Sequence, residues 1–231
     1  MSSFEISTIQ DRARVLLASL PGSVRLIAVS KYMPSERIRA AYAAGVRDFG
    51  ESRVQEAIRK MTELEDLTDI TWHLIGHLQS NKAKLAVRYF DWIHSVDSLA
   101  LAQRLNRIVE VEKTSPQLCL QVKVRPDPNK FGWSISALKS EWPLIQACQH
   151  LKWRGIMTIL PLGLTQPEIK AAFRQTQCLA TELSSIPPEV SPLKELSMGM
   201  SNDYLLAIES GATMIRIGRR IFGDRPEPED T

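Results

Sequence analysis

The stretch Val24-Arg25-Leu26-Ile27-Ala28-Val29-Ser30-Lys31, followed closely by Pro34-Ser35, decides the fold. Its first seven residues are nearly all apolar and rich in β-branched side chains, the pattern of a parallel strand covered on both faces. Pro34-Ser35 then opens a helix that runs through Ala44 and is closed by Gly45, because proline suits the first helical turn and glycine the left-handed residue past the last one. Strand parity divides the run. Ile27, Val29 and Lys31 share one face and Leu26, Ala28 and Ser30 the other, so a lysine ends the strand on an otherwise apolar face.

The strand-then-helix unit recurs. Residues 4–20 precede it as an amphipathic helix, with Ile6, Ile9, Ala13, Leu16, Leu17 and Leu20 at three- and four-residue steps until Pro21-Gly22. Further strands are predicted over 47–50, 70–76, 92–96, 117–124, 153–159, 194–198 and 214–217. Helices are predicted over 54–67, from about Asn81, after an N-cap at Asp97 or Ser98, over 134–150 despite Pro143, over 168–183, and over 204–210 where Gly211 ends it. Eight such units between residues 24 and 223 average about 25 residues each, the low end for a (β/α)8 TIM barrel. The expectation is therefore a single α/β barrel domain over residues 1–225 with an extra N-terminal helix. An open doubly wound sheet shares the alternation and is the alternative. The acidic tail 226–231 is expected to be disordered.

Composition narrows the function. Hydrophobic residues at 44% and charged residues at 24% exclude disordered, fibrous and collagen-like chains. Lys plus Arg (29) against Asp plus Glu (26) leaves +3, spread along the chain, which gives no footprint for nucleic acid but leaves a small anion open. Cys119, Cys148 and Cys178 are odd in number and far apart, so neither a disulfide scaffold nor a metal pair is expected. No apolar run approaches the ~18 residues that span a bilayer, and the N-terminus lacks a signal pattern. No membrane association and a cytoplasmic location are expected.

Three places could carry chemistry. Lys31 stands where both α/β architectures bind ligands. Partial burial would favour its neutral amine, the form that attacks an aldehyde to make a Schiff base; the plain alternative is a lysine that snorkels to water. The loop Ser197-Met198-Gly199-Met200-Ser201-Asn202-Asp203 joins the seventh strand to its helix, with Ser201 or Asn202 as cap, and Gly218-Arg219-Arg220 follows the eighth strand with a short extra helix. Barrel phosphate sites are often built from these two loops, although ordinary capping turns would look the same. Arg216 should face inward, because Ile215 and Ile217 take the helix-facing side. A buried guanidinium needs a partner, either a barrel carboxylate or the ring nitrogen of a cofactor such as pyridoxal phosphate, which it would keep unprotonated. His73 and His77 lie on a strand pattern, so the helical metal spacing does not apply. No dinucleotide fingerprint, Walker loop or nucleophile-elbow serine occurs.

Longer motifs tie these places together: Ala28-Val29-Ser30-Lys31, Phe49-Gly50-Glu51 with Val54-Gln55-Glu56, His73 through Lys82, Arg154 through Ile159, Leu196 through Ser201, and Ile215-Arg216-Ile217-Gly218. In this order they resemble the pyridoxal-phosphate homeostasis proteins of the YggS or PROSC type, which have the alanine-racemase-like barrel without its second domain. Asp127 through Trp133 further resembles the cyanobacterial PipY branch.

The resemblance implies that Lys31 carries pyridoxal 5′-phosphate as a Schiff base. It implies too that Ser197, Met200, Ser201, Gly218 and Arg219 belong to the cofactor site, the loops holding phosphate, and that Arg216 faces the pyridine nitrogen. It also implies a carrier or buffer of the cofactor that keeps vitamin B6 and amino-acid pools balanced without robust turnover. Free amino acids and transient apoenzymes would be its partners, and it would act as a monomer. The alternative on the same chemistry is a minimal amino-acid racemase or lyase. A racemase needs a second acid/base group, usually a partner-domain tyrosine; Tyr32 adjoins Lys31 but points away by strand parity, unless the strand has already ended. A third reading is a barrel that binds some other phosphorylated metabolite. One departure stands out: Gly50-Glu51-Ser52 replaces the family's Gly-Glu-Asn, and the shorter serine puts any contact made there in doubt.

Overall fold

The computed structural model describes residues 3–186 and 192–224. The expected tail and most of the Pro-rich stretch near residue 190 lie outside them. In chain order the elements are α1 (Ser3–Ser19), β1 (Arg25–Val29), α2 (Ser35–Ala43), β2 (Asp48–Glu51), α3 (Val54–Glu63), β3 (Thr71–Leu74), a 3-10 turn (Ser80–Lys82) leading into α4 (Ala83–Tyr89), β4 (Trp92–Val96), α5 (Leu99–Glu112), β5 (Gln117–Lys123), β6 (Trp133–Ser134), α6 (Ile135–Gln146), β7 (Lys152–Met157), α7 (Gln166–Ser184), β8 (Glu195–Ser197), α8 (Tyr204–Glu209), β9 (Met214–Ile217) and α9 (Arg219–Phe222).

Strand β1 lies between β2 and β9, and the sheet runs β4-β3-β2-β1-β9-β8-β7-β5 with β4 also paired to β5. All these pairings are parallel, so eight strands close into a barrel. The open-sheet alternative fails on the β4–β5 pairing. Strand β6 is an addition that sequence patterning missed: two residues are too few to show a period, and they pair only with Val122 and Lys123 at the end of β5.

Parity assigns the two sides of the wall as expected. Leu26, Ala28, Ile215 and Ile217 are buried among the helices. Ile27, Trp92, Cys119, Met157 and Met214 form a separate apolar cluster inside the barrel. Each large side chain so buried contributes about 1.5–3 kcal/mol relative to exposure. The extra helix α1 lies against α2 and α9 through Ile9, Ala13 and Leu16.

Several boundaries differ from expectation, α6 ending at Gln146 rather than 150 among them, and two have a local cause. Helix α3 stops at Glu63 rather than 67, with Leu64 leaving the helical region at φ −119 and the Glu63 carboxylate held by Ser35 of α2. Helix α8 is capped by Asp203, not by Ser201 or Asn202. Asp203 accepts the Met200 N–H at 2.6 Å, and the Asp203 and Tyr204 N–H groups return to the Met200 carbonyl, so the preceding loop is closed on itself. Among the described residues no helix is long and apolar enough to cross a membrane.

Candidate functional site

The C-terminal ends of the strands surround a cavity of about 490 Å³ lined by Lys31, Arg216, Met200, Ser201, Gly218 and Arg219 together. Six of the seven residues expected at the site thus share one space. Ser197 is the seventh and sits deeper: it is fully buried at the end of β8, outside the lining, and its hydroxyl is engaged from two sides. A larger crevice, of about 800 Å³, lies away from this mouth near Lys123 and Ser134 and holds none of the seven.

Strand β1 ends at Val29, and Lys31 occupies a turn above it, half-buried and facing the cavity with Val29, as parity required. Tyr32 has left the strand. Its φ of +65 places it in the left-handed region, its ring is 38% exposed beneath the Arg53 guanidinium at 5.5 Å, and it does not line the cavity. Ser52 does line it, packed so tightly against Gly76 that a Cβ there would come within 2.4 Å of the Ser52 carbonyl oxygen.

The two expected anion loops meet across the mouth. Gly199, at φ +92, lets the first turn back against α8, where a Cβ would meet the Ala207 side chain at 2.6 Å. Gly218 lies against the Val29 carbonyl, which a Cβ would approach to 3.2 Å. The Arg220 guanidinium donates to the Ser201 carbonyl at 3.0 Å and ties one loop to the other.

Arg216 faces inward and is 4% exposed. Its partners are not a carboxylate: one terminal nitrogen donates to the Ser197 carbonyl (2.6 Å) and hydroxyl (2.7 Å), the other to the Thr158 carbonyl (2.8 Å). Burial pushes its pKa down to about 10, with Asp203 pulling the other way, so the guanidinium stays charged at neutral pH.

Beneath Arg216 a chain of hydrogen bonds crosses the barrel interior. His94 Nδ1 is 2.8 Å from Ser197 Oγ, His94 Nε2 is 2.9 Å from His73 Nδ1, and His73 Nε2 is 2.9 Å from Asp48. The Asp48 carboxylate can only accept, so with both imidazoles neutral the protons along the chain are set from that end. Ser197 accepts from Arg216 and donates to His94 Nδ1. His94 then carries its proton on Nε2 and donates to His73 Nδ1, and His73 donates from Nε2 to the Asp48 carboxylate. Both imidazoles are neutral, and burial lowers both pKa values, that of His94 well below the ordinary value. Sequence reasoning weighed His73 only as a metal ligand. The signal that would have placed it was parity, which puts His94 on the same face of β4 as Trp92. His77 lies apart, paired with Asp97 and stacked on Phe131, and no metal cluster occurs among the described residues.

Comparison with known proteins follows the same lines. Residues 5–226 match the family model described as alanine racemase, N-terminal domain. A pyridoxal phosphate homeostasis protein of Synechocystis sp. is 50% identical over 210 residues, covering 91% of this chain and 95% of the relative. The chain belongs to the pyridoxal phosphate homeostasis protein family. The structure of PipY from Synechococcus elongatus with PLP bound is 55% identical, with a TM-score of 0.89, and covers 93% of this chain and all of that one. An alanine racemase from E. faecalis shares the fold at a TM-score of 0.70 and 18% identity, but this chain spans only 59% of its length.

Proposed function

We propose that this chain binds pyridoxal 5′-phosphate at the barrel mouth, covalently through Lys31, and carries or buffers the cofactor in the cytoplasm for vitamin B6 and amino-acid homeostasis. The observation that carries the reading is the convergence of an amine, a guanidinium and two glycine loops on one cavity, in a chain 55% identical to a protein solved with PLP bound.

The residues fit the group. Lys31 supplies the amine for its aldehyde. The loops at Ser201 and at Gly218 and Arg219 offer backbone and cationic donors to a phosphate, with Gly218 clearing the backbone approach at Val29. Met200 and Val29 give apolar walls. Arg216, a donor only, meets the pyridine nitrogen lone pair and keeps it unprotonated. Ser197 acts from below by holding Arg216. When bound, the cofactor supplies an electron sink, and an unprotonated ring makes that sink weak.

A carrier is favoured over a racemase by the lining itself. The described residues that line the cavity include no tyrosine, histidine or cysteine to serve as a second acid/base, and the one carboxylate among them, Asp203, is engaged by the Met200 N–H at 2.6 Å. Free amino acids are the small partners expected at the cavity, transient apoenzymes the recipients of cofactor, and the chain is read as acting as a monomer.

The test is an absorption spectrum of cofactor-loaded protein before and after borohydride, followed by peptide mapping. The reduced adduct is expected on Lys31. An adduct chiefly on Lys82 or Lys130, or on no lysine, would overturn the assignment. Lys31→Ala should lose the imine band yet keep weak binding through the phosphate loops.

A further inference from the structure

The backbone on both sides of Lys31 is held by side chains to which sequence reading gave no role. Ser30 makes the last parallel bond, its N–H donating to the Gly50 carbonyl at 3.0 Å. Its carbonyl accepts from the Lys60 ammonium at 2.9 Å, and its hydroxyl donates to Glu51 at 2.7 Å. On the other side of Lys31 the Tyr32 N–H donates to Glu56 at 2.8 Å. Lys60 joins the two halves by donating to Glu51 at 2.8 Å and to Glu56 at 2.9 Å. All three protons of its ammonium are therefore used, and it sits 8% exposed beside a Glu51 that is fully buried.

Such a cluster is a poor way to gain stability. Moving an ammonium and a carboxylate out of water costs several kcal/mol per ion, and well-packed apolar residues often serve as well or better. Here one oxygen of Glu51 remains buried without a partner. Burial is also the largest influence on the Glu51 carboxyl, which it raises above its ordinary value against the pull of Lys60 and Ser30. What the cluster does supply is geometry. The turn is locally unfavourable, because an L-residue at φ +65 costs on the order of 1–2 kcal/mol. A strand end with such a turn would otherwise sample other conformations, and each would carry the Lys31 amine away from the cavity. The Ser30 carbonyl, which also closes the turn by accepting the Met33 N–H at 2.9 Å, and the Tyr32 N–H are the two turn atoms that Lys60 and Glu56 grip by side chain.

We propose that Lys60, with Glu56, is a positioning device for Lys31: the buried ion cluster clamps the Ser30-Lys31-Tyr32 turn and presents the amine to the cavity. The inference rests on the reading of Lys31 as the cofactor-bearing residue.

A double-mutant cycle tests it, with pyridoxal phosphate affinity measured by titration for wild type, Lys60→Met, Lys31→Ala and the double variant. If Lys60 acts through Lys31, Lys60→Met weakens binding at least tenfold when Lys31 is present and less than threefold when it is alanine. An equal loss in both backgrounds, or no loss in either, overturns the proposal, since a merely structural role would not depend on residue 31. If Lys60→Met fails to fold by circular dichroism, the same cycle with Glu56→Ala decides. That change removes the acceptor of the Tyr32 N–H and leaves the Lys60–Glu51 pair in place, and it should show the same dependence on Lys31. If wild-type protein forms no imine band, or Lys31→Ala binds as tightly as wild type, the cofactor reading itself has failed and the clamp falls with it.

Discussion

Two buried polar systems back the two anchors of the mouth, and they are built on opposite principles. Under Lys31, outside the barrel wall, lies a charged cluster in which Lys60 bridges two carboxylates. Under Arg216, inside the barrel, lies a chain of neutral groups, Ser197, His94 and His73, that meets a carboxylate only at its last member, Asp48 of β2. The difference follows from what each anchor requires. On the proposed reading Lys31 reacts as a neutral amine, and its support grips the backbone around it rather than its side chain. On the same reading Arg216 acts as a charged donor, and the groups that hold it, the Ser197 and Thr158 carbonyls and the Ser197 hydroxyl, are uncharged acceptors.

The contrast can be broken with acid. Both histidines have an unfolded-state pKa of about 6.5 and folded-state values below it. Below about pH 6.5 the unfolded chain takes up protons that the folded chain refuses. The stability tied to the neutral imidazoles is therefore full above that pH and is lost as pH falls from there toward the folded values, at up to about 1.4 kcal/mol per pH unit for each histidine. In the charged cluster, burial works to raise the Glu56 carboxyl, but the bonds from Lys60 and the Tyr32 N–H outweigh it and the pKa is lowered. Its contribution is present above the unfolded carboxylate value of about 4.3 and fades only as pH falls below it. Urea unfolding of wild type and His94→Gln between pH 7.5 and 5.5 separates the two systems. Wild type should lose more stability over that interval, and the variant's slope should fall by about half. Equal slopes would mean that His94 is not held neutral.

How far the site was legible follows the same division. Strand parity alone placed Lys31, just past the end of β1, and Arg216, on β9, because the apolar neighbours of each fix the phase. The glycine loops were legible because Gly199 takes φ +92 where a Cβ would strike Ala207 at 2.6 Å, and a Cβ at Gly218 would crowd the Val29 carbonyl at 3.2 Å. The supports were not. Glu56 and Lys60 are spaced i, i+4 on α3, which in a sequence reads as an exposed surface pair; only the fold shows that Glu51 and the Ser30 carbonyl, from two other elements, close over them. The histidine chain joins β3, β4 and β8 across the barrel, and no local pattern links residues 73, 94 and 197. Asp203 stands at the N-cap position of α8 without a side-chain bond into the helix, its carboxylate accepting the Met200 N–H of the preceding loop instead, an arrangement that capping propensity does not rank.

Neither support extends to the rim of the two loops proposed to hold phosphate, although Ser197 begins one of them, and this sharpens the comparison. Ser201 is half-buried at the rim, its carbonyl tied to Arg220 and its side chain on the cavity. Ser201→Asp should therefore leave thermal unfolding close to wild type while weakening pyridoxal phosphate binding at least tenfold, since the new carboxylate would face the phosphate dianion. Equal affinity in the two proteins would place the anion elsewhere.

The smallest effect is expected at Tyr32, where the clamp and the side chain can be told apart. Glycine there removes the penalty of φ +65, on the order of 1–2 kcal/mol. Against that gain, the more flexible unfolded chain costs about 0.5–1 kcal/mol, and the lost contact with Arg53 about as much. The terms nearly cancel, so Tyr32→Gly should change stability by less than about 1 kcal/mol. The hydrogen bond to Glu56 comes from the backbone N–H and survives the substitution. Cofactor affinity should then stay within about threefold of wild type, roughly 0.6 kcal/mol. A loss of tenfold or more with the fold intact would show that the tyrosine ring, and not the clamped backbone, presents Lys31 to the cavity.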